Sequence, residues 1–289
     1  MIIRIATRQS PLALWQANHV YDLLKGVDPT LKVVLVPVET GLDKDLSVPI
    51  GSVAGQGAFS KEVQLQVLAG KADIAVHSAK DLQTETPKGL SIGAFVKRGQ
   101  VHDVLVGKKL KDLGIRAKVA TGSARRKAQL VSLRPDLDIL ELRGNIDTRL
   151  AKLEQVDAIV MAACALTRLG RRPTVVDDLD PRVFVPQVGQ GALAVEAKSD
   201  DLQILKLLGA IDHGRTRTAV EAERDFLVTL GANCDMPVGA FANVVDDELH
   251  MRGFMAGEKG KVARDSIRGP IAGKPGVELA EVLKQKLDQ

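Results

Sequence analysis

The chain has 289 residues, 45 % of them hydrophobic and 26 % charged, a balance that excludes a disordered segment or a single small module and allows two or three domains with separate cores. No apolar run approaches the roughly 18 residues of a membrane span, and the opening MIIRIATRQS lacks the basic stretch and apolar run of an export signal, so a cytoplasmic protein that does not enter a membrane is expected. The net charge is +4, and residues 98–186 hold 17 Lys+Arg against 11 Asp+Glu; with only 3 % aromatic residues to stack on bases, that excess suits a small polyanion and not nucleic acid.

In chain order, IIRIAT (2–7) reads as a strand, and Ser10 before Pro11 as a helix start, with the cap residue followed by proline at the first helical position. That helix is expected to run to about Lys25. KVVLVPVE (32–39) is a second strand, followed by a Gly-rich segment (40–58) that is long for a connector and reads either as a mobile lid or as a disordered stretch. A helix over 60–69, the buried strand ADIAVH (72–77) and the strand LSIGAFV (90–96) complete a first α/β unit. VKRGQ (96–100) crosses into a second unit made of KVATG (118–122), a helix over 123–133, DILEL (138–142) and DAIVMAA (157–163), ending near Val185. VPQVGQGA (185–192) reads as a hinge, and ALAVEA (192–197) as a strand that returns to the first unit. The remainder predicts a helix over 216–230, antiparallel strands over 238–245, 248–256 and 261–269, and a closing helix over 276–288. The expected fold class is α/β: two α/β domains with mainly parallel sheets, 1–95 with 192–209 and 98–186, and a C-terminal α+β domain, 213–289, with an antiparallel sheet.

Candidate chemistry gathers where strands end. His77-Ser78-Ala79-Lys80-Asp81 follows a buried strand at the carboxyl end, where α/β sheets present functional loops; Asp81 could hold a cationic or N–H-bearing group, or the run could be a plain helix cap. Thr121-Gly122-Ser123-Ala124-Arg125-Arg126 sits where a strand becomes a helix, with Ser123 as its cap, and Arg143 with Arg149 and then Arg168 follow the next strands. A single basic turn is ordinary solvated surface, but three ending strands of one sheet imply a ligand with several anionic groups, and Arg8 with Ser10 adds a similar turn in the first unit. Cys164 lies in an apolar run and reads as a buried small hydrophobe. Cys234, in a turn between Gly231 and Pro237, could be a nucleophile, a covalent tether or an incidental loop residue. Five His and two Cys show no metal-ligand spacing, so no metal is expected.

Six blocks resemble porphobilinogen deaminase in order and spacing: ATRQSPLALWQA (6–17), AVHSAKDL (75–82), TGSARRKAQL (121–130), LRGNIDTRL (142–150), VGQGALAVE (188–196) and the Cys234 loop. The resemblance covers essentially the whole chain. It implies two periplasmic-binding-protein-like α/β domains, and a monomer that joins four porphobilinogen molecules head to tail into hydroxymethylbilane, releasing four ammonia and passing through polypyrrole intermediates. It implies a dipyrromethane cofactor held as a thioether on Cys234, with Asp81 assisting loss of ammonia, stabilising the azafulvene-like cation that follows and contacting pyrrole N–H groups. By the same resemblance Lys80, Thr121, Ser123, Arg125, Arg126 and Gln190 hold the cofactor with Asp81. Arg8, Ser10, Phe59, Arg143, Arg149 and Arg168 hold substrate, and 40–58 is the active-site lid. Three positions around the cysteine depart from the family pattern: Asn233 stands where glycine is usual before it, and Asp235-Met236-Pro237 replaces Gln-Val-Pro after it. SARRK replaces the commoner SLRRQ and keeps both arginines. An anion-binding protein without turnover, or a family member that loads its cofactor poorly, is the competing expectation, since two lobes and a hinge also resemble solute-binding proteins and regulator effector domains.

Overall fold

The structure is a computed structural model that describes residues 1–39, 60–231, 236–257 and 260–288; the expected lid 40–58, Phe59 and Cys234 lie outside them. In chain order the described elements are β1 (Ile2–Arg8), α1 (Pro11–Val27), β2 (Lys32–Val38), α2 (Lys61–Leu68), β3 (Ile74–Ser78), β4 (Leu90–Phe95), β5 (Asp103–Val106), β6 (Lys118–Ala120), α3 (Ala124–Leu133), β7 (Asp138–Leu140), α4 (Ile146–Ala151), β8 (Ala158–Ala162), α5 (Ala163–Arg168), β9 (Val176–Leu179), β10 (Leu193–Lys198), α6 (Leu202–Gly209), α7 (Gly214–Leu230), β11 (Val238–Val245), β12 (Glu248–Ala256), β13 (Val262–Pro270) and α8 (Pro275–Asp288). They form two compact units, Met1–Gly99 with Gly191–Val220, and Gln100–Gln190 with Glu221–Gln289.

In the first unit the sheet order is β2-β1-β3-β10-β4, with β10 antiparallel to both of its neighbours and the other strands parallel. Alternation along β1 sends Ile3 and Ile5 to one face, where they meet Ala17, Val20 and Leu24 of α1, residues spaced at three and four along one helical stripe. Ala6 and Ala75 face the other way, toward Val63 and Val67 of α2. Both faces of the sheet are covered, as a parallel-rich sheet requires.

The second unit repeats the plan as β7-β6-β8-β5-β9, with β5 as the one antiparallel strand. Leu105, Val119 and Val160 pack under Leu130 of α3, while Val104, Val106, Ile159 and Met161 pack with Leu166 of α5. This unit also holds the antiparallel sheet β11-β12-β13. Its first hairpin turns on Asp246 and Asp247, at φ +45° and +63°, the left-handed pair that a two-residue turn between twisted strands demands. Leu279 and Leu283 of α8 lie against Gly253 of β12, where a Cβ would stand 2.8 Å from Leu283.

Some elements do not follow from the apolar pattern. β5 and β9 are four-residue strands, one opened by Asp103 and the other interrupted by Asp177 and Asp178, and α6 is a short helix capped by Asp201, whose side chain accepts from Ile204 N at 3.0 Å.

Candidate active site

At the carboxyl end of β1 the chain turns through Arg8 into α1. Ser10 caps that helix, its Oγ accepting from Ala13 N at 3.3 Å, and Thr7 donates to Ala13 O at 3.2 Å, so the turn is fixed from both sides. The neighbouring β3 ends at Ser78, whose Oγ accepts from Gln16 Nε2 of α1 at 2.8 Å. Ala79 N then donates to Ala192 O at 3.0 Å and a single 3-10 turn, Ala79–Asp81, carries Lys80 and Asp81. These anchors bring Arg8, Ser10, Gln16, His77, Ser78 and Asp81 around one cavity of about 60 Å³. Asp81 and Lys80 are both half-buried. Behind the cavity, His77 Nε2 lies 3.0 Å from Glu196 Oε2 without hydrogen-bond alignment, and Gln64 Nε2 donates to both Glu196 oxygens at 3.2 and 2.9 Å.

In the second unit the expected basic turns follow β6, β7 and β8, which are parallel neighbours, so their carboxyl ends share one edge of the sheet. After β6, buried Thr121 accepts from Ser123 N at 3.3 Å, and Ser123 caps α3 by accepting from Arg126 N at 3.4 Å. After β7, Asn145 caps α4 by accepting from Thr148 N at 2.9 Å, Arg149 Nε donates to Gly144 O at 2.8 Å, and Arg143 stands 3.7 Å from Glu141. Arg168 closes α5, where burial draws its guanidinium below its ordinary value and Cys164 opposes that shift. Cys164 itself is buried in the helix.

Arg125 and Arg126 do not extend into solvent. They are 3 % and 7 % exposed and converge on Asp103, the first residue of β5, which is fully buried. Asp103 Oδ2 accepts from Arg125 Nη2 at 2.7 Å; Oδ1 accepts from Arg126 Nη2 at 2.7 Å, Arg126 Nε at 3.1 Å and Gln190 Nε2 at 3.0 Å. Burial alone would push the Asp103 carboxyl up, but the charges of Arg125 and Arg126, with hydrogen bonds from Arg126 and Gln190, carry it well below the usual carboxylate range. Burial and the neighbouring Arg126 lower Arg125, which nevertheless stays charged at any working pH. The sequence pattern missed Asp103; the signal was an acid opening the apolar run DVLV. It also missed Glu223, a buried carboxylate of α7 that accepts from Gly189 N at 2.7 Å and Ala242 N at 2.8 Å.

Residues 3–206 match the family model described as porphobilinogen deaminase, dipyromethane cofactor binding domain, and residues 217–285 match the model of the porphobilinogen deaminase C-terminal domain. The chain belongs to the porphobilinogen deaminase family. It is 42 % identical to a porphobilinogen deaminase of Syntrophomonas wolfei, over 98 % of this chain and 95 % of that protein. It is 45 % identical to one of Xanthomonas axonopodis, over 88 % and 85 %, and 41 % identical to one of Geotalea daltonii, over 97 % and 91 %. Among solved structures, similarity extends to an ancestral cationic amino acid solute binding protein (TM-score 0.45, 15 % identity, 72 % of this chain and 86 % of that one) and to a methionine binding protein (0.44, 15 %, 77 % and 94 %). Members of this family are hydroxymethylbilane synthases, and their cofactor is dipyrromethane. No helix among the described residues is long and apolar enough to cross a membrane.

Proposed function

We propose that Asp81 is the catalytic residue with which this family member releases ammonia from porphobilinogen, and that Cys234 holds the dipyrromethane primer as a thioether. The observation that carries the Asp81 assignment is its place in one cavity with Arg8 and Ser10. A carboxylate facing an arginine matches a substrate that bears an ammonium group and two carboxylates. Arg8 would take a substrate carboxylate, leaving Asp81 beside the aminomethyl end, where positive charge persists on the substrate carbon as ammonia departs. A fixed carboxylate there stabilises the developing cation far more than water does.

The residues present fit an anionic cofactor. Arg125 and Arg126 bring two permanent charges against the single charge of Asp103, and Arg125 Nε is shut off from solvent with no partner among the described residues. Lys80, Thr121, Ser123 and Gln190 complete the proposed cofactor set, while Ser10, Phe59, Arg143, Arg149 and Arg168 join Arg8 in holding the substrate and the growing polypyrrole. When bound, the dipyrromethane supplies the pyrrole carbon to which substrate methylene carbons are joined. The chain's own contribution is to grip carboxylates, shield the reacting centre and keep one carboxylate at the departing ammonia. The same proposal takes the protein as a cytoplasmic monomer acting on small molecules and not on nucleic acid, and divides it into three domains at 1–95 with 192–209, 98–186 and 213–289.

Asp81→Ala tests it. The variant is expected to fold and to keep the primer by intact mass, while hydroxymethylbilane formation falls by about 10²–10⁴-fold. Turnover near that of the parent would remove Asp81 from the mechanism.

A further inference from the structure

Consecutive arginines in the first turn of a helix repel one another and oppose the helix dipole, so the local sequence of α3 disfavours the very pair it carries. Something outside the helix must hold them. Asp103 does so from β5, where among the described residues its carboxylate accepts four hydrogen bonds, from Arg125, Arg126 and Gln190. Arg126 then spends its third nitrogen on Val160 O at 3.1 Å, and Arg125 spends Nη1 on Val185 O at 2.6 Å. The backbone also closes in: a Cβ at Gly239 would stand 2.9 Å from Arg125 Cδ and 2.6 Å from Pro186 O, so only glycine leaves the Arg125 side chain where it is. Each of the three Arg126 nitrogens donates a bond, whereas among the described residues the buried N–H of Arg125 Nε meets no acceptor. A buried donor left without a partner is costly, and two cations on one anion leave one positive charge in excess.

We propose that Asp103 is a positioning residue, the internal counter-ion that sets the guanidinium groups of Arg125 and Arg126 side by side and leaves their pair one charge short of neutral, so that a ligand carboxylate completes it. This rests on the reading above that the pair holds the cofactor's carboxylates. Asp103 touches neither substrate nor primer; it acts through the arginines. A neutral residue in its place would leave the pair two charges in excess, and an anion from solution would become the substitute.

The experiment has two readouts on the full-length chain. Intact mass gives the fraction carrying the primer as purified, and in Asp103→Asn it is expected to fall about tenfold or more. Thermal unfolding is then measured with Cys234→Ala added to both chains, so that neither carries a covalent group, with and without inorganic phosphate. The Tm of Asp103→Asn is expected to start lower and to rise with phosphate by clearly more than that of the parent, since an anion that binds only the folded state stabilises it by mass action. Primer loading like the parent's together with an equal phosphate response would overturn the proposal. Should Asp103→Asn fail to fold, Asp103→Glu decides: with its charge retained it is expected to show the parent's phosphate response, and a larger response would count against a counter-ion role. Arg125→Lys tests the underlying reading separately. Normal loading there would mean that the arginine does not hold the primer, whatever phosphate does to Asp103→Asn.

Discussion

Each five-stranded sheet carries one buried carboxyl group on its single antiparallel strand, Glu196 on β10 and Asp103 on β5, and the two are partnered in opposite ways. Glu196 meets an amide and an imidazole, from Gln64 and His77, and no permanent cation is among these contacts. Asp103 meets two arginines that are always charged, so its neighbourhood keeps a net positive charge however the carboxyl titrates. One sheet plan thus yields a structural polar cluster behind the Asp81 cavity in one unit and a charged cluster in the other. Strand order does not decide which arises; the side chains packed against each carboxylate do, Gln64 and His77 in one unit and Arg125, Arg126 and Gln190 in the other. Both units use a serine cap where the second strand of the sheet order meets its helix, Ser10 on α1 and Ser123 on α3, but only α3 places arginines directly after it.

Removing the Asp103 charge is the largest perturbation this comparison predicts. Asp103→Asn leaves two buried guanidiniums uncompensated, a loss of about 3–5 kcal/mol by comparison with other broken buried pairs. The pH dependence has a definite sign. Because the folded carboxyl lies far below the ordinary 3.8, its contribution is complete above that value and fades as pH falls toward the depressed folded value. Denaturation midpoints of parent and Asp103→Asn should therefore stay a constant distance apart above about pH 4 and converge below it. A gap that widens on acidification would refute the ion-pair account. Glu196→Gln is milder, because the new amide still offers an oxygen to Gln64 and strands no permanent charge; about 1–2 kcal/mol is expected from chemical unfolding. A loss as large as that of Asp103→Asn would erase the distinction between the two sheets. Ser123→Ala is smallest, about 1 kcal/mol for a lost helix cap, read from the same unfolding curves.

What the sequence made legible follows the range of the interactions involved. The caps at Ser10 and Ser123 depend on partners three residues away, and both were visible as a hydroxyl residue at the junction of strand and helix. The Asp81 turn was visible because a buried strand announces the loop at its end. The Asp103 cluster was not, since its partners lie 22, 23 and 87 residues away, and no periodicity reports such a distance. Within the expected hinge 185–192, long-range partners were equally hidden. In the structure Val185 is clasped by Gln129, whose Oε1 accepts from Val185 N at 2.7 Å while its Nε2 donates to Val185 O at 3.0 Å. Pro and Gly in that stretch signalled a turn correctly but said nothing of what grips it. The arginines themselves marked an anion site from their residue type, while their burial depended on an acid in another strand.

The most direct test of the central claim is the intact mass of the purified chain and of Cys234→Ala, each paired with an aldehyde colour reaction for pyrroles. The account predicts a mass excess of one dipyrromethane and a positive colour in the parent, with both absent from the variant along with turnover. An unmodified parent after incubation with porphobilinogen, or an equal mass excess in Cys234→Ala, would contradict it.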